Sequence, residues 1–156
     1  MLKQIRLAVV LGVAVAMGIA ALLPDANCGE IKSLEQQSRD IVVKSMDFAG
    51  EQQKESFLKV YEPYQKRLMK LAEERAVLID AYSESQKVAA LKTETARELL
   101  AQALALDRDR VHLVADYVAQ LEKILPVQKV VRAYQIEDRL QAVVVVNAAK
   151  HIPLAE

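Results

Sequence analysis

The side chains in this chain that could do chemistry are few, and they form no reactive set. His112 and His151 could hold a metal or act as general bases, but the sequence contains no HExxH, ExxH or CxxC pattern. Both read as exposed helix residues. Met46 and Met69 are too few for a copper site and read as core filler. Glu73, Glu74 and Asp80 resemble a carboxylate cluster suited to proton transfer, yet on a helix they fall between the apolar positions and are expected to face water. Tyr61, Tyr64, Tyr82, Tyr117 and Tyr134 could line a ligand groove; the reading adopted is core packing with each hydroxyl at the edge. No glycine-rich turn is available to cradle a phosphate. The expectation is therefore no catalytic residue, no metal ligand and no cofactor.

The compartment is read from the N-terminus. Lys3 and Arg6 precede an uncharged, apolar run from Leu7 to Leu23, which is followed by Pro24, Asp25, Ala26, Asn27 and Cys28. A charged start, an apolar stretch and a polar break before small residues make a secretory signal, assigned to residues 1–28, with a single domain over 29–156. The rival is an uncleaved anchor at the short limit of a membrane span. Removal of Cys28 leaves no cysteine, hence no disulfide or thiolate. The whole chain has 21 basic and 21 acidic residues. Losing Lys3, Arg6 and Asp25 with the signal leaves one net negative charge. Mixed, balanced charge gives no electrostatic case for nucleic acid, and membrane contact is expected only through an uncleaved signal.

These residues must be positioned by helices. There is no tryptophan and there are only 4 glycines, a composition for long helices rather than a loop-rich enzyme. A short amphipathic helix is expected over 33–48, closed by Gly50. A long one follows from Glu51 to Tyr82, with Phe57, Tyr61, Tyr64, Leu68, Leu71, Arg75, Leu78 and Tyr82 stepping by four and three. Pro63 lies inside it and predicts a kink. A polar connection over 83–92 leads to a third helix capped by Thr93 or Thr95 and running to Leu125. Its seam is Leu100, Leu104, Asp107, Val111, Val114, Val118, Leu121 and Leu125, flanked by Leu99, Ala103, Leu106, Leu113, Tyr117 and Ile124. Pro126 opens a fourth helix over 127–150, with Ala133, Ile136, Leu140, Val143 and Asn147 on one stripe. Val143, Val144, Val145 and Val146 make one turn apolar all round, either buried on several sides or a candidate interaction surface.

The fold expected is all-α: a long antiparallel hairpin of the second and third helices, with the shorter N-terminal helix and the C-terminal helix packed on it, after the signal helix. Pairing the two seams so that residue numbers add to 182 sets Tyr61 against Leu121 and Tyr64 against Val118, and brings the two charged exceptions, Arg75 and Asp107, together as a structural ion pair. A shift of one heptad leaves each charge facing leucine, which costs several kcal/mol when such groups are buried.

Two stretches carry a resemblance. Phe57-Leu-Lys-Val-Tyr61-Glu-Pro63-Tyr64, continuing through Glu74-Arg75 to Asp80-Ala-Tyr82, and Leu125-Pro126-Val-Gln-Lys-Val-Val-Arg-Ala-Tyr134-Gln135-Ile136-Glu137, ending in Ile152-Pro153-Leu154, resemble the two halves of a group of secreted bacterial helical proteins. The likeness covers roughly residues 46–154 and is distantly similar to the Spy-type periplasmic chaperones, which act without ATP. It departs at Leu58, where an aromatic residue is expected, and in the four-valine run. The resemblance implies a periplasmic or secreted helical protein and carries no site residue over. The function expected is a non-enzymatic envelope protein that binds other envelope proteins, chaperone-like or accessory. The alternatives are a carrier of a small apolar ligand and a structural homodimer formed through the valine-rich helix.

Overall fold

The computed structural model describes residues 28–88 and 92–149, and within them the protein is all-α, with no strand among the described residues. The expected signal segment, apart from its last residue Cys28, and the closing Pro153 lie outside the described residues. Four helices follow in order: α1 (Cys28–Ser45), α2 (Glu51–Val88), α3 (Thr93–Leu121) and α4 (Val127–Ala149). Between α1 and α2, the Gln53 side chain accepts a hydrogen bond from the Ala49 N–H at 2.9 Å. This gives a partner to the N–H just ahead of the helix start, one residue before the position a capping box uses. Pro63 lies within α2, on its exposed side, and the helix continues past the missing donor.

The connection expected over 83–92 is shorter than the sequence suggested, because α2 runs on to Val88. Nothing from Ser83 to Val88 is a glycine or proline, and Ser83 is buried, so the helix has no local reason to stop. Neither threonine caps α3. Its N-cap is Lys92, which makes no side-chain cap bond, and Thr93 is already the first helical residue. At the other end α3 stops at Leu121, a turn short of the expected Leu125. Pro126 starts α4, and its carbonyl accepts from the N–H groups of Lys129 and Val130.

Helices α2 and α3 pair antiparallel. Arg75 bonds Asp107, while Tyr64 stacks on Tyr117 with ring centroids 4.0 Å apart. As the number rises on one helix it falls on the other. The core joins all four helices: Val42 and Met46 from the α1 end, Phe57, Tyr61 and Tyr64 from α2, Leu113, Tyr117 and Leu121 from α3, and Val130 and Ala133 from α4. Aromatic rings form its centre. Phe57 and Tyr61 stack with centroids 5.4 Å apart, and Tyr61 lies 6.4 Å from Tyr117. Such offset pairs contribute about 1 kcal/mol each beyond their burial.

The buried line on each long helix departs from the strict heptad. On α2 it runs Phe57, Tyr61, Tyr64, then Ala76, Asp80 and Ser83. At about 100° per residue Arg75 is in phase with Phe57, while Ala76, Asp80 and Ser83 lie roughly 80–140° round the helix, so beyond Tyr64 α2 buries a different face, the one that carries Asp80. Asp80 is therefore buried, contrary to the solvent-facing position expected for it. On α3 the correction is larger. The buried residues are Leu113, Tyr117 and Leu121: the C-terminal part of the seam, Leu121 with Leu125 and the half-buried Val114 and Val118, meets the core as expected, joined by Leu113 and Tyr117 from the flanking row. Leu100, Leu104 and Val111, expected in the seam, are exposed. Neighbouring positions on a helix differ by about 100°. Because α3 must contact both α2 and α4, the row between those two contacts is the one buried.

Helix α4 is fixed mainly through its first half. Lys129 Nζ reaches Gln53 Oε1 at 2.8 Å and also the Asp47 carbonyl, and Arg132 Nε donates to the Ser45 carbonyl at 2.8 Å. Both cations thus sit over carbonyls at and just beyond the C-terminus of α1, where the helix dipole favours positive charge. Farther along, Arg110 Nη1 of α3 donates to Gln141 Oε1 at 3.3 Å.

Candidate functional site

Two features stand out. The first is the outer face of the hairpin. Leu100, Leu104 and Val111 project from α3 at 61%, 52% and 64% exposure. Arg75 and Asp107 lie among them, with the Arg75 Nη1 group donating to Asp107 Oδ1. The expected ion pair is present, but both partners are about half exposed, at 50% and 54% of their side chains. The register is as derived from the sequence; the energetic reason differs. Half-wet charges do not impose the desolvation penalty that would forbid a slip. The aromatic interlock of Tyr61, Tyr64 and Tyr117 holds the register instead.

The second feature is a carboxyl buried in that interlock. Glu137 of α4 is only 6% exposed. The hydroxyls of Tyr61 and Tyr64 donate to it, and its Oε1 has no partner; the buried Tyr117 hydroxyl also has none. Burial pushes the Glu137 carboxyl up to about 7, against a lesser pull downward from the two tyrosine hydrogen bonds. Below neutrality the group is therefore held mostly uncharged. Burial, reinforced by Glu137, raises all three tyrosine hydroxyls well above their ordinary range, so they remain protonated donors. Tyr64 and Tyr117 stack face to face at 13°. The rings pack on one another instead of lining a groove.

Sequence reasoning placed Tyr61, Tyr64 and Tyr117 in the core, though with hydroxyls at its edge where that of Tyr117 is buried; Tyr134, expected there too, is exposed, and Glu137 was passed over. The signal was present: Val130, Ala133, Glu137 and Leu140 recur at helical spacing, so Glu137 lies on the apolar side of α4. Of the candidate surface on α4, Val143, Val145 and Val146 are exposed, while the side chain of Val144 lies outside the described residues. His112, Glu73 and Glu74 are exposed; His151 lies outside the described residues. Among the described residues no group of three or more His, Cys, Asp or Glu side chains is placed to hold a metal ion. None of the described helices is long and apolar enough to cross a membrane. Comparison with family models, curated proteins and solved structures finds no match to this chain.

Proposed function

We propose that this chain is an exported, non-enzymatic protein of the cell envelope that binds other proteins, as a chaperone-like or accessory factor. The observation that carries this reading is the exposed row Leu100, Leu104 and Val111. A folded chain ordinarily buries such side chains; a set of them on one helix face, next to a charged pair and rimmed by polar residues, suits transient contact with apolar segments of another protein. The charged N-terminal start with its apolar run supports export, and the resemblance to Spy-type chaperones points the same way. The exposed Val143, Val145 and Val146 favour self-association as a second reading.

The test is suppression of aggregation. The purified protein is mixed with a reduced, unfolding client, and light scattering is followed. It should lower scattering at stoichiometric amounts without ATP, and a Leu100→Ser, Leu104→Ser, Val111→Ser variant with unchanged helicity should be markedly weaker. Equal suppression by both proteins, or none by either, contradicts the reading. A concentration-dependent dimer lost on Val145→Ser, Val146→Ser substitution supports self-association instead.

A further inference from the structure

We propose that Glu137 is a proton-controlled latch: uncharged, it seats the C-terminal half of α4 on the α2–α3 hairpin, and when it loses its proton that half-helix lifts away and bares the tyrosine cluster. The geometry points to this from three sides. The carboxyl of Glu137 is buried among aromatic rings, and its hydrogen bonds from Tyr61 and Tyr64 tie α4 to α2. Its Oε1 faces no donor among the described residues, and the neighbouring Tyr117 hydroxyl is equally unsatisfied. A neutral carboxyl tolerates such surroundings, because its own proton needs no counter-charge. A carboxylate there has two hydroxyls for solvation and the rest of its charge in a low-dielectric core.

The groups facing Glu137 supply no cation to compensate. From α2 they are Tyr61 and Tyr64, and from α3 Tyr117, all uncharged. Arg110 of α3 acts on Tyr64 and donates to Gln141, one turn beyond Glu137, and is not among the groups that set the ionisation of Glu137. The α1 end adds Val42 and Met46 to this core, neither of which titrates. On α4 itself Asp138 and Arg139 point to solvent.

The position of the tethers decides which part moves. Lys129 and Arg132 hold the N-terminal half of α4 to the α1–α2 turn. Past Glu137, among the described side chains, half-buried Leu140 and the long Arg110–Gln141 bond oppose lifting. An opening confined to residues 137–149 therefore breaks few contacts, as locally unfolding segments do.

Hydrogen exchange of the intact protein, read by mass spectrometry across a pH series and corrected for intrinsic exchange chemistry, tests the latch. A carboxyl that titrates near 7 when seated and near 4.5 when released makes the opening equilibrium grow on the order of a hundredfold between pH 5 and pH 8, then level off. Protection over 137–149 should fall by that factor while 127–133 changes little. Glu137→Gln should flatten the profile, and Tyr61→Phe with Tyr64→Phe, by removing donors that favour the carboxylate, should move the transition to higher pH. An unaltered profile in the Gln variant, or loss of protection spread evenly over all helices, overturns the proposal. Should the Gln variant not fold, carboxyl ¹³C NMR of Glu137 in the unmodified protein decides: titration near neutrality supports the latch, and titration near 4.5 overturns it.

Discussion

Replacing Arg75 and Asp107 by leucine, singly and together, separates a wet ion pair from a buried one. With about half of each side chain exposed, the Coulomb attraction is that of charges in contact in a high-dielectric setting, about 1 kcal/mol before side-chain ordering is subtracted. The expected coupling energy from a double-mutant cycle is about 0.5 kcal/mol. It should decline when salt is raised from 0.05 M to about 0.5 M, because exposed pairs are screened. Each single change should cost under about 1 kcal/mol, since the remaining charge can turn to water. The double change should be close to neutral in stability, yet it joins Leu100, Leu104 and Val111 into a longer exposed apolar row, so solubility should fall. Urea unfolding of the four proteins, followed by helical circular dichroism, measures all of this. A coupling above about 2 kcal/mol, insensitive to salt, would show a pair shielded from solvent and refute the half-exposed hairpin face.

Three further outcomes follow from the same structure. Because the Glu137 carboxyl is raised to about 7 from 4.5, the folded state holds a proton that the unfolded chain releases; the stability it confers is complete below about pH 4.5 and is lost as pH rises through 7. The loss amounts to about 3 kcal/mol, read as the difference between the unmodified protein and Glu137→Gln across the pH range, and a difference that grows toward acid contradicts the assignment. Tyr117→Phe removes a buried hydroxyl without a partner and should be neutral or stabilising, whereas Tyr61→Phe removes a donor to Glu137 and should cost about 1 kcal/mol; thermal melts below pH 6 compare the two. N-terminal sequencing of the protein from the envelope fraction should start between residues 26 and 32, and recovery of Met1 would mean an uncleaved anchor.

The helices, their antiparallel pairing and the Arg75–Asp107 register were legible because each rests on local pattern: apolar spacing, prolines and glycines at boundaries, and two charges in otherwise apolar rows. The buried side of α3 was not. Its apolar stripe spans two adjacent rows, one through Leu104 and Val111 and one through Leu113 and Tyr117, and periodicity cannot say which row acquires a neighbour. That choice belongs to tertiary packing, here the stacking of Tyr117 on Tyr64 and the seating of α4. Asp80 was misplaced for a related reason, since beyond Tyr64 α2 buries a different face from the one that carries Phe57 and Tyr61. Glu137 escaped notice because a glutamate on a helix ordinarily faces water. Only the convergence of three tyrosines from two other helices makes its position unusual, and a linear pattern does not display that convergence.

The most direct measurement of the central claim is methyl NMR of the purified protein titrated with an unfolded client that does not itself aggregate. The methyl signals of Leu100, Leu104 and Val111 should shift or broaden first and together, while Val42 and Leu121 in the core stay unchanged. Perturbation confined to the α4 valines, or no perturbation at client concentrations well above that of the protein, would contradict a protein-binding face on α3.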